Sequence, residues 1–261
     1  MKKKPTAPKL HIGTSGWVYK SWHKMFYPEN VKKEFLRFYS TEFNTVEVNT
    51  SFYHLPKRST FEKWRSETLD DFIFGVKMSR YVTHIERLKV TQEPLDRFFA
   101  AAAGLSKKLG IILVQLPPSL RYDEKTFAAF IRRLDKARTI GRKKVRIALE
   151  PRHDSWFDEE NMEAIRALMK KQGMSLVFAH SAVFPRYEPV DENILTDYVY
   201  LRFHGPKEFA LSQYGRRRLK PWAEMIQKWR NKGLLVFAYF NDDAHRYAVK
   251  DAKILEELVS E

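Results

Sequence analysis

Short apolar runs alternate with longer stretches of helical period along the whole chain. The runs are rich in β-branched and aromatic residues, as strands are, and the stretches between them repeat apolar residues at every third or fourth position, as amphipathic helices do. The predicted strands are Leu10 to Ser15, Thr45 to Ser51, Ile73 to Ser79, Ile111 to Leu116, Val145 to Glu150, Ser175 to His180, Val199 to His204 and Leu234 to Asn241.

This alternation favours an α/β fold with a parallel sheet, and eight strand and helix units match a single (β/α)8 barrel of the TIM type. An open doubly wound sheet is the alternative, but its glycine-rich first turn is missing, because the stretch from Gly13 to Trp17 lacks the spacing of a dinucleotide fingerprint. We therefore expect one barrel domain over residues 10–261 and a short disordered basic arm over residues 1–9. No nicotinamide, flavin or haem is expected.

Composition removes several classes of protein. The chain has no Cys, so a disulfide, a thiolate zinc site and a Cys nucleophile are excluded. No apolar run approaches the ~18 residues that span a bilayer. Pro5 and Pro8 stand where a secretory signal would need its apolar core. We expect a cytoplasmic protein without a membrane partner.

A formal net charge of +15 raises the possibility of a nucleic-acid partner. Much of the excess lies in the N-terminal arm and in the run from Arg132 to Arg146, which leads into the start of the fifth predicted strand. That position belongs to the N-terminal face of a barrel, opposite the face that carries active sites. Nucleic-acid binding therefore remains as a third hypothesis.

Polar residues occupy one face of several predicted strands. In the second strand Glu47 and Asn49 alternate with Val46 and Val48, and the third and seventh strands alternate in the same way. Successive strand residues point to opposite faces, so the apolar face packs on the helices and the polar face points into the barrel. The resulting ring at the C-terminal mouth contains Glu47, Lys77, Gln115, Glu150, His180, Arg202, His204 and Asn241.

Such a ring takes several charges partly out of water, which is costly unless they pair or bind a ligand. A functional site is favoured, since the barrel itself does not require charges at that end. An internal salt-bridge network is the alternative, in which Lys77, Arg152 and Arg202 neutralise Glu47 and Glu150. The residues predicted to be catalytic are Glu47, Lys77, Glu150, Arg202 and His204.

Loops at the same face add predicted contacts to a substrate. Aromatic side chains there can stack on a base or a sugar, although most aromatic residues lie in a core. A loop histidine can equally cap a helix. The residues predicted to bind substrate are Trp17, Asn49, Tyr53, His84, Gln115, Arg152, His153, Trp156 and Asn241.

Ordered motifs along the chain resemble a known family. They are Gly13-Thr14-Ser15-Gly16-Trp17, Thr45-Val46-Glu47-Val48-Asn49, Gln115-Leu116-Pro117-Pro118, Glu150 with Arg152-His153, Leu201-Arg202-Phe203-His204-Gly205 and Tyr239-Phe240-Asn241. In these motifs the chain is similar to the YecE-like family, catalogued as domain of unknown function 72. The resemblance implies a TIM-type barrel of unassigned activity. His180 stands where the family often carries Asp.

Two enzyme hypotheses remain open beside nucleic-acid binding. The first is a hydrolase or isomerase that uses a divalent metal, Mn, Zn or Mg, because carboxylates and imidazoles suit these ions. Its predicted ligands are Glu47, Glu150, His180 and His204, with Asp242 as a further ligand.

The second hypothesis is a metal-free acid/base enzyme that acts on an anionic or sugar-like small molecule. Glu47 and Glu150 would be base and acid, with pKa values driven apart by unequal neighbours, while Lys77, Arg152 and Arg202 would hold an anionic group. An imine-forming lysine at Lys77 is a variant of this hypothesis. The sequence specifies neither the substrate nor the oligomeric state.

Overall fold

Eight parallel strands form one sheet whose two edge strands meet and close a barrel. The computed structural model describes residues 10–141, 143–184, 189–207, 211–241 and 247–261. The strands in chain order are β1 (Leu10–Thr14), β2 (Thr45–Val48), β3 (Ile73–Lys77), β4 (Leu109–Gln115), β5 (Thr139–Ile140), β6 (Lys143–Lys144), β7 (Arg146–Glu150), β8 (Ser175–His180), β9 (Tyr198–Phe203) and β10 (Leu235–Phe240).

The sheet follows the order β1-β10-β9-β8-β7-β4-β3-β2, while β5 and β6 pair separately as a short antiparallel hairpin. The barrel closes where Ser15 bridges to Glu47, and the Gly16 amide donates to the Glu47 carbonyl oxygen at 2.8 Å. The predicted TIM-type barrel is confirmed. The predicted basic arm lies outside the described residues.

Closure depends on a residue without a side chain. A Cβ atom at Gly13 would lie 2.2 Å from the carbonyl oxygen of Thr45 at the start of β2. No side chain fits at that distance, so glycine allows β1 to approach β2. Next to it the Thr14 amide donates to the Tyr39 hydroxyl at 2.9 Å, which fixes the first helix against the seam.

Helices surround the barrel. They are α1 (Phe35–Glu42), α2 (Thr50–Tyr53), α3 (Arg58–Glu67), α4 (Glu93–Ala102), α5 (Glu124–Ala137), α6 (Glu159–Lys171), α7 (Gly215–Asn231) and α8 (Tyr247–Ser260). The crossover between β8 and β9 contains only a short 3-10 turn, Asp191–Asn193, within its described part. None of the helices in the described ranges is long and apolar enough to cross a membrane.

The lower part of the barrel interior is an apolar plug. Its buried members are Ile111, Leu113, Ala148, Val177, Tyr198, Tyr200, Phe237 and Tyr239. Strand register places polar residues beside the upper members of this plug and beyond them. Lys77 pairs with Leu113 and Arg202 with Tyr239, and Gln115 and Glu150 pair with each other at the ends of their strands. The charged residues therefore lie against buried apolar side chains at the C-terminal end of the barrel, where little water screens their interactions.

The basic run from Arg132 to Arg146 occupies the other end. It covers the second half of α5 and the β5–β6 hairpin, which leads directly into the N-terminal end of β7. Arg138 anchors it, since its Nη1 donates to the Val145 carbonyl oxygen at 3.1 Å. This placement separates the densest positive charge from the barrel mouth.

Candidate active site at the barrel mouth

A buried arginine joins two carboxylates across the mouth. Arg202 Nη2 lies 2.8 Å from Glu47 Oε1 and its Nε lies 3.0 Å from Glu47 Oε2, while its Nη1 lies 2.5 Å from Glu150 Oε2. All three side chains are at most 2% exposed. We call Glu47, Arg202 and Glu150 the carboxylate–arginine network. It matches the predicted internal salt bridges in part, because Lys77 is not one of its ion-pairing members.

Two hydroxyl groups complete the coordination of Glu47. Ser15 Oγ donates to its Oε1 at 2.7 Å, and the Tyr200 hydroxyl donates to its Oε2 at 2.6 Å. Both oxygens of Glu47 therefore accept two hydrogen bonds. Neither donor was among the predicted site residues. The sequence did indicate Tyr200, because it lies two positions before Arg202 in the same strand and so points to the same face.

Glu150 has partners on both sides. Its Oε1 lies 2.8 Å from Arg152 Nη2 and 3.4 Å from His204 Nε2. Asn241 Nδ2 lies 3.3 Å from His204 Nδ1, so an Nε2-protonated, neutral imidazole satisfies both contacts. Burial, reinforced by Arg202, lowers the pKa of His204 to about 4. His204 is therefore uncharged near neutral pH.

Charge pairing decides the ionisation of both carboxyl groups. Burial acts to raise the pKa of each, but it is outweighed at Glu47 by Arg202 together with the Tyr200 and Ser15 hydroxyl groups, and at Glu150 by Arg152, Arg202 and His204 together. The pKa of Glu47 is lowered, and that of Glu150 lies well below its ordinary value. Both are ionised at neutral pH. Neither carboxyl group therefore supplies the protonated acid that the acid/base hypothesis assigns to one of them.

Lys77 differs from Glu47, Glu150 and Arg202 because it lacks a described partner of opposite charge. It ends β3 and forms no ion pair with any carboxylate in the described ranges, and its Nζ lies 4.0 Å from the centre of the Phe52 ring. Burial lowers its pKa to about 7, and the charge of Arg202 adds to the shift while Glu150 and Glu47 oppose it. Lys77 therefore supplies a neutral amine in part of the molecules at neutral pH.

His84 and Arg152 share the electrostatic environment of Lys77. Burial lowers the pKa of His84 to about 4, and the charges of Lys77 and Arg152 add to the effect. Its Nδ1 lies 2.8 Å from Thr83 Oγ1. The Arg152 side chain is 11% exposed, against 1% for Arg202, so it is the guanidinium that a ligand can reach. We call Lys77, His84 and Arg152 the rim cluster.

The other predicted substrate contacts differ in how exposed they are. Asn49 has a buried Oδ1 without a hydrogen-bond partner in the described structure, and Tyr53 is 69% exposed. Trp17 is half-buried and packs edge-on against Trp64 at 5.2 Å between ring centres. Gln115 is buried, and its Nε2 donates to the neighbouring Leu116 carbonyl oxygen at 2.5 Å. Their contact with a substrate stays a prediction.

Two predicted substrate contacts have structural partners instead. Trp156 is fully buried, and its Nε1 donates to the Leu120 carbonyl oxygen at 2.8 Å. It therefore presents no ring face for stacking. His153 accepts a hydrogen bond from the Ser155 amide at 3.1 Å and so caps the short turn that contains Trp156. A capping role was the alternative for a loop histidine.

His180 faces away from the mouth, which corrects its predicted place in the ring. Strand register pairs Ala179 with inward-facing Arg202, and His180 with Phe203. Its Nδ1 lies 2.8 Å from the Tyr214 hydroxyl, and its ring packs edge-on against Trp222 of α7. Side chains on opposite strand faces cannot converge on one ligand.

The remaining predicted metal ligands do not form a metal site. Arg202 stands between Glu47 and Glu150, so a guanidinium occupies the position where a cation would need to bind both. No group of three or more His, Asp or Glu side chains in the described ranges is arranged to hold a metal ion. Asp242 lies outside those ranges. The geometry thus does not fit the predicted divalent metal.

Comparison with known proteins agrees with this architecture. The UPF0759 protein YunF of Bacillus subtilis is 26% identical over 278 residues, which cover 96% of this chain and 94% of YunF. The UPF0759 protein YecE of Escherichia coli is 30% identical over 108 residues, which cover 41% of this chain and 38% of YecE. The YecE-like resemblance is therefore confirmed.

Solved structures show the same barrel. The crystal structure of a DUF72 family protein from Thermotoga maritima is 25% identical, covers 97% of this chain and 99% of that chain, and superposes with a TM-score of 0.81. A D-psicose 3-epimerase superposes with a TM-score of 0.53 over 86% of this chain and 89% of its own at 12% identity, which is a likeness of fold alone. The family described as "Protein of unknown function DUF72" matches residues 11–261, and the chain belongs to that family.

Proposed function

We propose that this protein is a metal-free enzyme that binds a small anionic molecule at the barrel mouth and transfers a proton through Lys77. The observation that carries the proposal is the position of Lys77, an amine at the end of a barrel strand that no described carboxylate neutralises. Carboxyl-terminal strand ends are where TIM barrels place their reactive groups.

The charges at the mouth favour an anionic ligand. Glu47 and Glu150 are balanced by Arg202 and Arg152, which leaves protonated Lys77 as an uncompensated positive charge in partly dry surroundings. Arg152 is the less buried of the two guanidinium groups, at 11% exposure against 1% for Arg202, and it is the one that would hold a carboxylate or a phosphate beside Glu150. Arg202 is too deeply buried to do so, and it supports the site by fixing both carboxylates.

Lys77 is suited to proton transfer. A general base or acid works best when its pKa lies near the pH at which it operates, and the pKa of Lys77 is about 7. Both carboxylates stay ionised, and His204 and His84 stay neutral, over the range in which Lys77 titrates. Lys77 is therefore the rim group that gains and loses a proton near neutral pH.

The test follows hydrogen exchange rather than an assumed reaction. Small oxo acids, hydroxy acids and sugar phosphates are incubated with the protein in D2O, and NMR records the loss of signal from carbon-bound protons. We expect exchange in at least one compound, and loss of about 100-fold or more in Lys77→Met. Chelator should leave the rate unchanged.

Two further variants separate charge from proton transfer. Lys77→Arg keeps the positive charge but cannot deprotonate, so it should bind the same compound while losing exchange. Lys63→Met removes an exposed lysine of α3 that pairs with Glu67 on the same helix, and it should behave like the wild-type protein. Exchange that survives in Lys77→Met, or that requires an added metal, would overturn the proposal.

A further inference from the structure

We infer that Lys77 also bonds covalently to its substrate, and that the substrate is a small aldehyde or ketone that carries a carboxylate or a phosphate. This inference rests on the proposed function, because it assumes that the same anion-binding mouth holds the substrate. It adds the reacting bond and the substrate class.

The surroundings of Lys77 favour attack by a neutral amine. The Phe52 ring, with its centre 4.0 Å from Nζ, attracts an ammonium ion, but burial and the charge of Arg202 favour the neutral form. The carboxylates that could hold Lys77 as an ammonium ion are already paired with Arg202 and Arg152. Desolvation of this kind activates a lysine as a nucleophile. At pH 7 an amine with a pKa of about 7 has about 1,000-fold more of its neutral form than an ordinary lysine of pKa ~10.4.

The chemistry balances without a co-reactant. The nitrogen lone pair of Lys77 forms a bond to the carbonyl carbon while the π electrons of the carbonyl move to its oxygen. The resulting carbinolamine loses that oxygen as water, which carries away both amine protons and leaves a neutral imine. A proton from solvent then gives the iminium ion. No oxidation or reduction occurs.

The neighbouring groups fit each stage. Arg152 can hold the anionic group of the substrate, and the Arg152 guanidinium also lies 4.4 Å from the Phe184 ring, which restrains its position. Glu47 and Glu150 offset part of the cost that burial and Arg202 impose on a positive iminium at the position of Lys77. His84 is neutral, and its Nδ1 is hydrogen-bonded to the Thr83 hydroxyl group. Its Nε2 would then bind the water molecule that imine formation releases and imine hydrolysis consumes.

The experiment traps the imine by reduction. Wild-type protein is incubated at pH 7 with pyruvate, with glycolaldehyde phosphate or with neutral acetone, sodium borohydride is added, and peptide mass spectrometry locates the secondary amine. We expect labelling at Lys77 at least about 10-fold above the exposed lysines, since its advantage in neutral amine is only partly offset by lower nucleophilicity. The two anionic probes distinguish carboxylate from phosphate recognition.

Variants make the result specific. Arg152→Met should abolish the preference for the anionic probes over acetone while Lys77 is still labelled. Lys63→Met is the control and should label at position 77 like the wild-type protein. Equal labelling of Lys77 and the exposed lysines, or labelling of Lys77 with no preference for the anionic probes, would overturn the inference.

A parallel titration separates failure of the inference from failure of the proposed function. Lactate has the size and charge of pyruvate but has no carbonyl group beside its carboxylate that could form an imine. Lactate binding that depends on Lys77 and Arg152, without trapping of pyruvate, would remove the covalent step and leave the proposed function standing. Absence of both binding and trapping with every anionic probe would overturn both.

Discussion

Two groups of charges lie side by side at the barrel mouth, and they differ in how they are paired. In the carboxylate–arginine network each charge meets an opposite charge within hydrogen-bonding distance. In the rim cluster Lys77 meets an aromatic ring and no described carboxylate. Burial with a partner preserves ionisation, whereas burial without one lowers the pKa of a lysine. The first arrangement holds structure, and the second is suited to chemistry.

Removing the centre of the network should have the largest effect on stability. Arg202→Met leaves Glu47 and Glu150 buried without their shared partner, and breaking a buried ion pair from one side costs about 3–5 kcal/mol. Chemical denaturation of the variant and the wild-type protein at pH 7 measures the difference in the free energy of unfolding.

Arg152→Met provides the matched control for that substitution. Arg152 is partly exposed and leaves Glu150 with Arg202, so its loss should cost much less. If Arg202→Met lowered the free energy of unfolding no more than Arg152→Met does, the claim that the carboxylate–arginine network stabilises the fold would be contradicted.

Replacing Lys77 should change the pH dependence of stability. The pKa of Lys77 is lowered from 10.5 to about 7 by burial and Arg202, with Arg152 adding and Glu150 and Glu47 opposing. The unfolded chain therefore binds more protons between those two pH values, so wild-type stability gains from Lys77 as the pH rises through this range. Lys77→Met should be more stable than wild type at pH 6, on the order of 2 kcal/mol after screening by solvent.

That advantage should fall to a small fraction of its size at pH 10, where Lys77 is neutral in the folded protein and the pH approaches the 10.5 of the unfolded chain. Unfolding curves at both pH values give the two differences. If the difference in the free energy of unfolding between Lys77→Met and the wild-type protein were the same at pH 6 and pH 10, Lys77 would not titrate between these two pH values.

The hydroxyl groups under the network should contribute less. Tyr200→Phe removes a 2.6 Å hydrogen bond to the carboxylate of Glu47, and a bond to a charged group contributes about 1.5–3 kcal/mol. Tyr239→Phe is the comparison, because its hydroxyl bonds the neutral Thr45 hydroxyl at 2.8 Å and should cost about 1 kcal/mol. A larger loss for Tyr239→Phe would contradict the importance of the charged acceptor.

The smallest effect is expected at the edge of the mouth. Tyr53 is 69% exposed, so Tyr53→Ala should alter the free energy of unfolding by less than about 0.5 kcal/mol. Thermal unfolding of this variant sets the lower end of the series. A loss comparable to that of Tyr200→Phe would show that Tyr53 packs in solution as an interior residue does.

The barrel and most of the ring were readable from sequence because several strands alternate strictly. Glu47, Lys77 and Arg202 each oppose apolar neighbours, so their inward direction could be predicted. β8 carries apolar residues on both faces, from Leu176 to Ala179, and its parity could not be read. His180 was misplaced for that reason.

The ion pairs that cross the barrel could not be predicted from the sequence. Glu47 and Arg202 are 155 positions apart, and sequence pattern does not show which guanidinium meets which carboxylate. The pairing of Glu47 and Glu150 with Arg202 and Arg152, which leaves Lys77 without a described carboxylate partner, follows from the closed sheet. Trp156 was equally ambiguous, because a buried indole and an exposed stacking platform have the same local sequence.

The most direct measurement is the protonation of Lys77 itself. Trace acetylation by acetic anhydride over pH 5 to 10, quantified on the peptide that contains Lys77, reports the fraction of neutral amine at each pH. The account predicts a labelling midpoint near pH 7 in the wild-type protein. In folded Arg202→Met without denaturant, the labelling midpoint should move to higher pH. The positive charge of Arg202 is lost, and the negative charges of Glu47 and Glu150 remain. A wild-type midpoint near the ~10.4 of an ordinary lysine would contradict the claim that Lys77 is the reactive group of this site.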